Sequence, residues 1–154
     1  MTDLLSNGNG TSILHRVGVT APTEAVYAAL TTTEGLAAWW TSDTTGDGDD
    51  TLQFRFGEVG GFDMKVIDLV PATRVVWEVV DGPAEWLATT IGFDLQQQGG
   101  WTIVLFTHAG WAEPVEFMHH CSTKWATFLM SLKAYVETGA GAPHPHDVQI
   151  SDWH

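Results

Sequence analysis

The chain is poor in positive charge, in cysteine and in long apolar runs, and each shortage closes off a class of protein. Six Lys and Arg stand against nineteen Asp and Glu, a formal net charge of −13. Such a molecule repels a phosphate backbone or an anionic bilayer over most of its surface, so neither nucleic acid nor membrane is expected as a partner. The single cysteine, Cys121, allows no intrachain disulfide and no multi-cysteine zinc site. No stretch approaches the ~20 apolar residues that span a bilayer. The opening residues, MTDLLSNGNGTS, have neither the basic nor the apolar segment of a secretion signal, so a cytoplasmic location is expected. Phosphate-cradling Gly loops, dinucleotide fingerprints, a Ser-His-Asp order and paired-carboxylate spacings are missing too, and no cofactor is expected.

What is present is a globular composition, 44% hydrophobic and 16% charged over 154 residues, which suits one domain around one core. Residues 1–12 read as a flexible leader, 13–139 as a single domain and 140–154 as an irregular tail. ILHRVGVTAP alternates Ile13, His15, Val17 and Val19 on one face, a strand that stops at Pro22. Thr20, Pro22 and Glu24 then open a short helix striped by Val26, Ala29 and Leu30, and TEGLAAWW reads as a second. TSDTTGDGDD is acidic and rich in Gly and Thr, a solvated loop by composition.

From 51 to 111, five runs rich in Val, Ile, Phe, Thr and Trp are separated by GEVGG, PA, DGPA and GG, the punctuation of an antiparallel meander with Trp86 at the start of the fifth strand overall. Pro114 to Thr138 then space Met118, Cys121, Trp125, Phe128, Leu132 and Val136 three and four apart, a long amphipathic helix. The predicted fold is α+β: a curved antiparallel sheet of about six strands wrapped around the C-terminal helix, with two short helices after strand one.

Four segments, VTAPTEAVYAALTTTEGLAAWW, RVVWEVV, TIVLFTHAGW and CSTKWATFLMSLKAYVETG, resemble the SRPBCC superfamily of START-like helix-grip proteins in order and spacing. The branch they are similar to is that of the activator of heat-shock-protein ATPase, over roughly residues 13–139. The resemblance implies a helix-grip fold with space between sheet and helix. That superfamily includes lipid and hormone carriers, polyketide cyclases and aromatases, and co-chaperone domains, so the fold does not name the activity.

Period two places Thr102, Val104, Phe106 and His108 on one face of the last strand, and the resemblance implies that this face looks toward the helix. A buried neutral imidazole can bond a ligand oxygen, act as acid or base, or simply be held by the backbone. Opposite it, Met118, Cys121, Trp125 and Phe128 would fill a core in most proteins but line a pocket in a grip fold. Trp39 and Trp40 close the second short helix, and since adjacent helical residues lie about 100° apart, they are expected in different environments. Trp77, in phase with Val75 and Val79, extends the wall, while Glu78 points outward.

The opposite sheet face carries Val76, Val80, Ile103 and Leu105, more apolar than a solvated face, and predicts a homodimer through the sheet. His144, His146, Asp147, Asp152 and His154 crowd the tail in no recognised metal spacing, and no metal is assigned. The expected activity is binding of a small hydrophobic or amphipathic molecule by Trp40, Trp77, Phe106, His108, Met118, Cys121 and Trp125. Two alternatives stand beside it: a cyclase or aromatase using His108, and an interaction domain like the chaperone-ATPase activators, its acidic surface meeting a basic partner.

Overall fold

A computed structural model describes residues 11–47 and 50–154. Strand β1 (Thr11–Val19) is followed by helices α1 (Thr23–Thr31) and α2 (Thr33–Trp39). Then come β2 (Asp43–Gly46), β3 (Thr51–Arg55), β4 (Gly61–Val70), β5 (Arg74–Asp81), β6 (Thr90–Gln98) and β7 (Trp101–Trp111), and the long helix α3 (Glu116–Thr138). All seven strands form one antiparallel sheet in the order β1-β7-β6-β5-β4-β3-β2, so the first strand closes on the last. The result is an α+β fold whose curved sheet holds α3 against one face. No helix among the described residues is long and apolar enough to cross a membrane.

The strand count differs from the expected six because β2 lies inside the stretch that composition marks as loop. As an edge strand paired only with β3, it needs backbone partners but no apolar side chains, and its residues are mostly exposed. Thr11 and Ser12, assigned to the leader by sequence, begin β1, where Thr11 pairs with Trp111; residues 1–10 lie outside the described set. Trp86 sits in a 3-10 turn, Ala84–Trp86, rather than in a strand, because Pro83 starts the turn and accepts the Trp86 N–H at 2.9 Å. Helix α3 begins two residues later than Pro114, after Val115 in extended conformation, and stops at Gly139, whose φ of 93° only glycine adopts without strain.

Period two is visible in burial. Val75, Trp77 and Val79 of β5, Ile91, Phe93 and Leu95 of β6, and Val104, Phe106 and His108 of β7 all face the helix and are buried. On the outer face Val80 is exposed and Val76 and Leu105 are half-buried. Ile103 departs from this pattern: Trp101 lies across Gly18 beside it, so the chain covers part of its own outer surface.

Candidate ligand cavity

At one end, sheet and helix part to leave a cavity of about 510 Å³. Its helix wall is Phe117, His120, Cys121, Lys124, Trp125 and Phe128. The turn between β3 and β4 contributes Phe56, the start of β4 Phe62 and the β5–β6 connection Trp86, and Trp40 closes the inner end. Phe62 and Trp86 stack at 4.0 Å with planes 8° apart, and Trp86 and Trp125 face one another at 6.0 Å and 18°. Stacked rings of this kind turn flat faces to the open space beside them.

The fourth wall is the tail, which does not run loosely over the surface. Thr41 and His144 form a parallel bridge, the His144 N–H donates to Trp40 O at 2.8 Å, and the Ser42 N–H donates to His144 O at 3.1 Å. Gly141 approaches so closely that a Cβ there would lie 2.6 Å from Ala38 O. Lys124 Nζ donates to Asp147 Oδ2 at 2.5 Å and to Val148 O at 2.8 Å. This brings His144, Asp147, Trp153 and His154 to the cavity. Among the described residues, no three His, Cys, Asp or Glu side chains converge as metal ligands do.

The residues proposed from sequence divide into three groups. Trp40, Cys121 and Trp125 border the cavity. Trp77, Phe106 and His108 are buried behind that layer, Trp77 parallel to Trp40 at 6.0 Å and Phe106 against Trp125 at 4.5 Å. Met118 turns away toward β1, where its sulfur accepts from Thr11 Oγ1 at 3.3 Å. The stripe that borders the cavity is 117, 121, 124 and 128, rotated slightly from the stripe of largest hydrophobic residues; Phe117, one turn before Cys121, was the available signal. Lys124 and the tail residues carried no periodic signal.

Trp39 and Trp40 occupy different environments, although neither is exposed at a rim. Both are buried and their rings stack 6.0 Å apart at 13°. Trp40 is the residue after the helix, with φ −105° and ψ −71°, so the 100° step does not apply to it. Trp39 Nε1 donates to Ala29 O at 2.9 Å inside the core, whereas Trp40 meets Phe62 and Trp125 at the cavity.

His108 is engaged on both sides. Trp125 Nε1 donates to its Nδ1 at 3.1 Å. Its Nε2 lies 2.9 Å from Thr89 Oγ1, and that hydroxyl donates onward to Trp86 O at 2.6 Å. Nε2 must therefore carry the proton, which fixes a neutral ring. Burial agrees, pushing its pKa down from 6.5 to about 3. Cys121 accepts from Trp86 Nε1 at 3.4 Å, and burial pushes its thiol up to about 12, far from a reactive thiolate. These bonds tie the connection bearing Trp86 to helix and sheet, holding two cavity walls at a fixed spacing.

A curved antiparallel sheet gripping one long helix, with an aromatic cavity at one end of the grip, defines the helix-grip class of α+β domain. Within that class the chain belongs to the family described as activator of Hsp90 ATPase homolog 1-like proteins, whose family model matches residues 20–137. Among solved structures, the Aha1 dimer from Colwellia psychrerythraea is 46% identical, covers 85% of this chain and 99% of its own, and superposes with a TM-score of 0.79. A Staphylococcus saprophyticus protein at 19% identity covers 85% of this chain and 95% of its own, with a TM-score of 0.71. CalU16 from Micromonospora echinospora, at 18% identity, covers 91% of this chain and 74% of its own, with a TM-score of 0.73. The last two share the fold alone. No curated protein matches.

Proposed function

We propose that the protein binds a small hydrophobic or amphipathic molecule in the cavity between sheet and helix. One observation carries the reading: about 510 Å³ of space lined mainly by aromatic rings, with a few polar groups at the tail side. A volume of several hundred Å³ with such a lining is the usual form of a small-molecule site. Binding is favoured over cyclase-type catalysis because His108 has both nitrogens occupied, and the Cys121 thiol is far from ionised. In this reading the protein works in the cytoplasm, its net charge of −13 keeping it from nucleic acid and anionic membranes.

Native mass spectrometry followed by thermal-shift screening against fatty acids, flavonoids and aromatic polyketides tests the reading. A co-purified mass, or a melting temperature that climbs with ligand concentration, is expected. A clean apo mass with no stabilisation by any compound overturns it.

Self-association is a second reading, favoured by the dimer of the 46% identical relative and by the exposed Leu14, Ile67 and Val80 on this chain. A second copy seated on the outer sheet face would cover the apolar residues there. Monomeric sedimentation across micromolar concentrations overturns it.

A further inference from the structure

The last stretch of the tail is held differently from the stretch before it. Residues 140–148 are fixed to the body: the Ala142 N–H donates to Ser131 Oγ at 2.7 Å, the His144 backbone is bonded to Trp40 and Ser42, and Lys124 Nζ donates to Val148 O. From Gln149 to His154, every hydrogen bond among the described residues stays within the segment. Gln149 Nε2 donates to Ser151 O, the Ile150 N–H to His154 O, the Trp153 N–H to Ser151 Oγ and the His154 N–H to Ser151 O. Two side chains reach back, His154 Nε2 to 3.4 Å from Asp147 Oδ2 and the Trp153 ring to 5.4 Å from that of His120. A turn that keeps its hydrogen bonds to itself can swing away without breaking any to the rest of the protein.

Trp153 stands at the mouth of the cavity. It borders the open space and is 48% exposed, whereas the other tryptophans there, Trp40, Trp86 and Trp125, are already buried. Trp153 is therefore the indole with area left to lose. Covering it with an apolar ligand removes roughly 100 Å² of ring from water, enough for a tenfold effect or more on binding.

We infer that residues 149–154 form a flap that opens to admit a ligand and closes Trp153 over it, so that this indole sets how long the ligand stays. The inference rests on the proposed ligand-binding reading and adds the means of retention to it. The family model ends at Glu137, so the flap lies outside the matched part of the chain. Its hinge follows Val148, whose carbonyl Lys124 holds, and the fixed part of the tail wall stays in place when the flap moves.

Stopped-flow fluorescence of the full chain with N-phenyl-1-naphthylamine, an uncharged aromatic probe that brightens in apolar surroundings, tests the inference. Trp153→Ala is expected to raise the release rate ~10-fold and to weaken affinity by at least ~5-fold. The variant keeps the tail's contacts with Lys124, Thr41 and Ser131, so without probe it should melt within about 2 °C of the wild type. A release rate raised less than ~3-fold overturns the inference. Equal gains in association and release, or tighter binding by the variant, also overturn it, since Trp153 would then be an obstruction and not a cover. If the variant melts lower than this, fluorine NMR of the wild-type chain labelled with 5-fluorotryptophan decides. The Trp153 resonance, identified as the one missing from Trp153→Phe, should shift and lose its solvent-isotope effect when the probe binds; a resonance that does neither overturns the inference. If the wild type does not bind the probe at all, the cavity reading falls and the inference with it.

Discussion

The two ends of the space between sheet and helix are equally rich in aromatic rings and differ in how the rings meet. At the closed end Trp39, Trp77 and Phe106 all meet Phe93 edge-on, at interplanar angles of 65° to 80°. At the open end the pairs Trp40–Phe62, Phe62–Trp86 and Trp86–Trp125 lie within 8° to 18° of parallel, while Trp40 and Trp125, 4.9 Å apart, are tilted by 36°. Edge-on rings interlock, while stacked rings turn flat outer faces to the open space beside them. Most of the rings at the two ends also stand on different elements. Trp77, Phe93 and Phe106 stand on paired inner strands, but Trp40 follows a helix, Trp86 sits on a 3-10 turn and Phe62 is the second residue of its strand. Aromatic content alone therefore does not distinguish a core from a site.

Truncating the closed end should have the largest effect. Trp39→Ala is expected to lower unfolding stability by about 3–5 kcal/mol in urea titration, since a fully buried indole leaves both a cavity and an orphaned Ala29 carbonyl. A smaller loss, about 1–3 kcal/mol, is expected for His108→Leu, which strands the Trp125 Nε1 donor between the two ends.

The same variant carries a pH signature. Folded His108 titrates near 3 and the unfolded residue near 6.5, so the unfolded chain holds more protons between those values and stability declines as pH falls through that window. From pH 7 to pH 5 the wild type should lose about 2 kcal/mol that His108→Leu does not lose. Parallel pH curves would show that His108 is not held neutral.

The smallest effect belongs to the open end. Phe56→Ala, half-buried at the cavity, should cost no more than about 1 kcal/mol in the same titration. A loss equal to that of Trp39→Ala would erase the distinction between the two ends.

Most of the architecture was legible because it rests on periodicity. Alternation in RVVWEVV and WTIVLFTH, and the three-and-four spacing after Pro114, mark the faces that meet. The extra strand was not legible, since an edge strand such as Asp43–Gly46 uses backbone pairing that leaves no apolar trace. Of the site, the residues borne by regular elements could be proposed, but periodicity does not say which of them reach the open space. Trp77, Phe106 and His108 share the inward face and still lie one layer too deep. Asp147 was invisible as a wall because its position depends on Lys124 and on backbone bonds around His144, contacts between distant parts of the chain.

The pairing of β1 with β7 also sets an order in time. Thr11 meets Trp111, partners about 100 residues apart, so closing the sheet carries the entropy of a long loop. Strands β2 to β6 can add to one another by local hairpins, but their inner faces stay bare until β7 brings β1 home and α3 lies down. Such non-local closure is the slow part of folding a sheet of this kind. During synthesis the aromatic face waits, uncovered, for α3, which follows the whole sheet in the chain. The cavity, lined by sheet, helix and tail together, exists only once all three have met, and whatever fills it can act only on the finished fold.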